Sequence, residues 1–271
     1  MRIRTGYEIV YELPAPTPML LMLNVHPTRI ADLETPDLIH TNPLTPLTQY
    51  RDIYGNLCSR ILAPAGRFVM NADFIVRDDG LPDPVAPHLG QLPVADLPDE
   101  ALLFLLGSRY CETDQLSNLA WSLFGSIPPG WGRVQAIVDY AHQRIKFGYE
   151  HARPTKTAYE AHEEGLGVCR DYAHLALTLC RCMNIPARYC MGFLGDIRLP
   201  PVPGPMDFSG WFEVYLDDHQ WHSFDARHNT PRIGRILMAH GRDATDTAIT
   251  TTFGPNFLAG FTVITKELPD L

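Results

Sequence analysis

The stretch GLGVCRDYAHLALTLC, Gly165 to Cys180, puts a cysteine behind two glycines and at the head of an amphipathic run. A thiol in the first turn of a helix meets unpaired N–H groups and the positive end of the helix dipole, which favour its thiolate. Gly165 and Gly167 permit close backbone approach just before it. Cys169 is therefore the candidate nucleophile. Such a nucleophile needs a base, and the base needs an acceptor to orient it. His174 lies about 140° around a helix of about 3.6 residues per turn, out of reach of Cys169. It is expected on a solvent stripe with Arg170, Thr178 and Arg181, opposite a buried face of Tyr172, Leu175, Ala176, Leu179 and Met183. The other cysteines, 58, 111, 180, 182 and 190, show no framework spacing. They are expected as free thiols, with Cys180, Cys182 and Cys190 as core material.

The partners of Cys169 must come from elsewhere, and DFSGWFEVYLDDHQWHSFDARHN, Asp207 to Asn229, is the candidate. It reads as two strands around Asp217–Gln220. An odd-length loop that pairs Leu216 near Gln220 puts Phe212, Val214, Leu216, Phe224 and Ala226 on one face. Ser209, Trp211, Glu213, Ser223 and Asp225 then share the other, with Ser209 diagonal to Asp225. Trp211 is expected to wall a cleft on that face, and Trp131 to be core. His219, His222 and His228 with Asp217 and Asp218 show diverging faces and no tight ligand spacing, so no metal is expected. The arginines of RIGRILMAHGRD, Arg232 to Asp243, are expected to salt-bridge an acidic body.

Around these residues the chain reads as α+β. From Arg2 to Leu13 near-strict alternation marks a half-buried strand. Further strands are expected at 19–25, 57–62 and 67–76, giving an antiparallel β domain over residues 1–90. DDGLPDPVAPHLGQLPVADLPDE, with five prolines, reads as a linker. Residues 91–271 then form a core domain. Helices are expected at about 100–106, 114–123, 132–145, 157–164 and 169–183, followed by strands at 187–193, 211–216, 221–226, 233–239 and 261–265. The net charge of −9 and the lack of a Lys/Arg block argue against nucleic acid. The start lacks an apolar signal core, and the most apolar stretch, 19–25, is too short to span a bilayer. A soluble, cytoplasmic protein without membrane contact is expected. No glycine loop for phosphate is convincing, and the oligomeric state is left open.

GVCRDYAHLALTLCRCMNIPARYCMGFLGD, followed by DFSGWFEVYLDDHQWHSFDARHNTPRIGR, resembles the bacterial transglutaminase-like family on the papain-like cysteine protease plan. The region 3–76 also looks like the small N-terminal β domain of bacterial members. The resemblance implies helices packed on an antiparallel sheet, no cofactor, and acyl transfer at amides of peptides or proteins through a thioester on Cys169. The Cys169 backbone N–H would donate to the oxyanion. In that family a Cys opening a helix, a His on a strand and an Asp on the next strand form the triad. Cys169 and Asp225 match. The His falls in a His-Ala-Trp sequence, and here Ser209-Gly210-Trp211 stands in its place.

Three readings follow. The site is inactive and the cleft binds a peptide or protein without cutting it, since a serine cannot act as base and loss of one costs roughly 10²–10⁴-fold. Or another histidine serves. His228 is near, but by parity it falls on the opposite strand face from Asp225, and it reaches the site only if the strand ends or bulges first. His222 faces the core side by the same count. His151 and His162 lie in the approach to Cys169. Or Cys169 works with Ser209 placing a water or a substrate group.

Overall fold

The fold is that of a computed structural model that describes residues 1–200 and 206–269. The first unit begins with β1 (Arg2–Leu13), β2 (Thr17–Leu21), β3 (His40–Asn42), β4 (Leu47–Arg51), β5 (Leu57–Ala63) and β6 (Gly66–Arg77). Helices follow: α1 (Asp99–Leu102), α2 (Thr113–Phe124), α3 (Trp131–Arg144), α4 (Ala158–Glu164) and α5 (Cys169–Cys182). Two short strands, β7 (Lys146–Phe147) and β8 (Leu166–Gly167), run parallel among them. The chain ends with β9 (Ala187–Phe193), β10 (Ser209–Tyr215), β11 (Trp221–Phe224), β12 (Ile236–Gly241), β13 (Thr250–Thr252) and β14 (Phe257–Leu268). This is α+β, with helices packed on antiparallel sheets.

Three four-stranded sheets carry the fold, in the orders β14-β1-β6-β3, β13-β2-β5-β4 and β11-β10-β9-β12. Alternating apolar residues from the first two, such as Ile3, Ile9, Phe68, Phe74, Met19 and Ile61, join one continuous core with the helices. That burial is the main stabilising term. The division at residue 90 differs from the pairing. β14 runs antiparallel to β1 from Arg2↔Leu268 to Glu12↔Phe257, and β13 pairs with β2. The chain therefore returns to its first unit, and the helical unit ends near β12. Periodicity identifies a strand but not its distant partner, and the burial of β1 on both faces fits a central strand.

The proline-rich segment is not a free linker. Pro82 bridges to Ile233, and Asp83 N–H donates to Arg232 O at 2.8 Å. Leu89 O accepts from Trp131 N–H at 3.0 Å, and Gln91 Nε2 donates to Met183 O at 3.0 Å. It is a strap fastened along the helical unit.

α5 is buried on every side, which corrects the expected solvent stripe: His174 and Thr178 are fully buried and Arg181 nearly so. α2, α3 and α4 flank it, with β9 and β10 against it. Most of its polar groups find partners inside, although Arg170 Nε and His174 Nδ1 are buried without one. Arg181 donates to Ala187 O and Leu106 O, and Thr178 Oγ1 donates to His174 O. His174 lies between the rings of Tyr110 and Tyr189, and its Nε2 accepts Ala244 N–H at 3.1 Å.

Candidate active site

Cys169 is the first residue of α5 and is half-buried. The Asp171 carboxylate accepts Val168 N–H at 2.9 Å and so fixes the turn that delivers it. Gly167 makes that closure possible, because a Cβ there would lie 2.7 Å from Asp171 Cβ and Oδ2. The hairpin opposite has the expected register, with Glu213↔Ser223, Phe212↔Phe224 and Leu216 N–H donating to Gln220 O. Ser209 opens β10 beside Gly192 of β9.

Cys169, Ser209 and His228 line one cavity of about 430 Å³, together with Tyr149, Asp207 and Arg227. β11 ends at Phe224, so the parity argument stops applying one residue before Asp225. Asp225 O accepts Asn229 N–H at 2.8 Å, which closes a turn and swings His228 back over Asp225. His228 Nδ1 lies 2.8 Å from Asp225 Oδ2, and Asp225 Oδ1 accepts the N–H groups of Arg227 and His228, each at 3.0 Å. A carboxylate only accepts, so Nδ1 carries the proton and Nε2 is the open acceptor. α3 grips the turn: Asp139 Oδ1 accepts from Asn229 Nδ2 at 2.9 Å, and Gln135 Nε2 donates to Asn229 Oδ1 at 2.9 Å.

The other candidates fall elsewhere. His151 sits 3.5 Å from Glu150 Oε1, and His162 pairs with Tyr140 Oη at 3.3 Å; neither lines the cavity. His222 bonds Asp218 in the hairpin loop. Trp211 is buried and walls a different cleft, of about 1070 Å³, with Arg235, Glu213 and Ser223. Trp131 packs in the core against Phe224, with ring centroids 4.6 Å apart. Among the described residues no three His, Cys, Asp or Glu side chains converge as a metal-ligand set.

Electrostatics separate the two ends of the site. Burial alone would raise the Asp225 carboxyl, but the hydrogen bonds from His228 and the charge of Arg235 outweigh it and hold it well below the usual carboxylate range. Burial pushes the Cys169 thiol up; the Gly210 N–H and Arg227 oppose this without reversing it. The net direction is upward, which favours the thiol form of Cys169. Arg235 and Asp83 also belong to the site. Arg235 Nη2 donates to Asp225 Oδ2 at 3.1 Å, and its Nε donates to Asp83 at 2.8–2.9 Å. Arg235 was legible only as one of three arginines in an acidic protein, and nothing marked Asp83.

Residues 119–226 match the model of the transglutaminase-like superfamily, a span that holds Cys169, Ser209 and Asp225. The chain carries a transglutaminase-like domain. The match stops two residues short of His228. The crystal structure of a "Putative Cysteine Protease from Cytophaga hutchinsonii" is 28% identical with a TM-score of 0.85, covering 100% of this chain and 91% of that one. The likeness therefore extends over both units, not only the transglutaminase-like domain. An uncharacterized protein of Mycobacterium leprae (strain TN) is 23% identical over 219 residues, 78% of this chain and 77% of its own length. The periplasmic domain of TgpA from Pseudomonas aeruginosa is 12% identical with a TM-score of 0.40, over 83% of this chain and 88% of that one. No helix among the described residues is long and apolar enough to cross a membrane.

Proposed function

We propose that the protein is a cysteine-dependent acyltransferase or hydrolase acting on amide bonds of peptides or proteins. Cys169 is the nucleophile, His228 the base and Asp225 the group that orients it. One observation carries the reading: the 2.8 Å contact of His228 Nδ1 with Asp225 Oδ2, on the wall of the cavity that holds Cys169. His228 Nε2 takes the thiol proton as sulfur attacks the amide carbonyl. It returns that proton to the leaving amine, leaving a thioester on Cys169. Water or an amine then attacks, with His228 again as base. The Cys169 N–H, one of the unpaired donors of the first turn, faces the oxyanion. The cysteine-protease description of the Cytophaga hutchinsonii relative supports this class. We place the protein in a bacterial cytoplasm, on its six free cysteines and its bacterial relatives.

The second reading is an inactive module that binds a peptide or protein, favoured by Ser209 at the family's His position and by the raised thiol. One experiment separates the two. The protein is incubated with a complex peptide pool and hydroxylamine, and the products are read by mass spectrometry. The enzyme reading predicts cleaved peptides or hydroxamates that Cys169→Ser abolishes. Identical product sets from the two proteins would favour the binding module.

A further inference from the structure

We infer that Arg235, anchored by Asp83 of the strap, is a positioning residue that sets the charge Asp225 offers to His228. The inference rests on the reading of His228 as the base. Arg235 lies between two carboxylates. Its Nε donates to Asp83 Oδ1 and Oδ2 at 2.9 and 2.8 Å, and its Nη2 donates to Asp225 Oδ2 at 3.1 Å. His228 Nδ1 binds that same Oδ2. The guanidinium and Asp225 are buried, and the Trp211 ring lies 5.2 Å from the guanidinium carbon. Asp83 is held in turn, because its Oδ2 accepts Arg232 N–H at 2.8 Å and Pro82 bridges to Ile233.

Charge gives this arrangement its consequence. Asp83, Arg235 and Asp225 together carry one net negative charge. When His228 takes the Cys169 proton, the imidazolium balances that charge beside the buried Asp225 and Arg235 side chains. Without Asp83 the group is neutral and the imidazolium stands uncompensated. Without Arg235 the group carries two negative charges and favours the imidazolium. Arg232 also acts on Asp225 through space. Around the thiol, Arg227 favours the thiolate, Asp207 and Asp225 oppose it, and the Tyr149 and Tyr189 hydroxyls lie within range of its charge. Of these groups only Arg232 touches Asp83, through its backbone N–H, which the amide oxygen of Asp83→Asn can still accept; the groups around the thiol do not contact Asp83.

The test is the pH profile of Cys169 alkylation by iodoacetamide, read peptide by peptide in wild type, Asp83→Asn, Arg235→Met and His228→Ala. Circular dichroism confirms folding. Asp83→Asn is expected to slow alkylation near neutral pH about 3- to 10-fold and to move the midpoint up by about half to one pH unit. Arg235→Met is expected to move the midpoint down. A simply structural role would move both the same way, and that result, or an unmoved Asp83→Asn profile, overturns the inference. If Arg235→Met does not fold, Asp83→Asn decides alone. If His228→Ala leaves alkylation unchanged, it is the base assignment that fails. The His228 Nδ1–H proton resonance then reads the inference separately: Asp83→Asn must shift it, and an unmoved resonance overturns the inference.

Discussion

The room that Gly210 leaves beside Cys169 is filled by a tyrosine. A Cβ on Gly210 would meet Tyr189 Oη at 2.3 Å and Cζ at 3.0 Å. An alanine at this place would press on the buried Tyr189 hydroxyl, so the Ser209-Gly210 pair, where the resembled family has His-Ala, also answers to local packing. Gly210→Ala should destabilise the protein by about 1–3 kcal/mol through overpacking. Tyr189→Phe should remove much of that cost, because the clashing oxygen is gone. Urea unfolding of the two single variants and the double variant gives the coupling. An equal cost for Gly210→Ala in both backgrounds would show that Tyr189 is not the obstacle. The Tyr189 contact lies on another strand, so the local sequence carried no sign of it. The departure itself was plain, as were Cys169 and Asp225, because each stands in a motif.

At the scale of the element, the proposed base comes from where β11 stops. Counting alternate faces from Asp225 to His228 assumes a strand that continues, and it ends at Phe224. Asn229-Thr230-Pro231 are turn residues that foretold the ending. Asn229 takes a left-handed conformation, with φ of 51°, which asparagine tolerates better than most side chains. The register of the hairpin was legible because Phe212, Val214, Leu216 and Phe224 had to share a buried face. The burial of α5 was not. An amphipathic pattern reads as one wet face, but Arg181, Thr178 and His174 find polar partners inside the molecule. The strap was misread for a related reason: prolines exclude regular structure, but they do not prevent anchoring by single bonds such as Asp83 to Arg235.

At the scale of the molecule, the return of β13 and β14 ties the chain's end to its start, and buried histidines join the two units. His26, ahead of the first unit's β3, lies against His240 of β12 with ring centroids 4.8 Å apart and tilted by 42°, and its backbone N–H donates to Leu237 O. Burial is the first cause that lowers His26 to about 4, His240 to about 3 and His174 to about 3, from an ordinary 6.5. Below pH 6.5 the unfolded rings take up protons while the folded ones stay neutral, so the unfolded state binds more protons and stability falls with pH. The urea midpoint should drop between about pH 7 and pH 5, and His26→Gln should flatten that slope. A midpoint that holds constant or rises over this window would contradict the burial of these rings in neutral form.

The assignment of His228 as the base for Cys169 is tested most directly by the iodoacetamide pH profile of Cys169 in wild type and His228→Ala. Cys180, which is buried and pushed above the ordinary thiol range, serves as internal control. The account predicts that His228→Ala slows Cys169 alkylation near neutral pH at least about tenfold and moves its midpoint upward, toward the burial-raised value of an unassisted thiol. Superimposable profiles for the two proteins would contradict it.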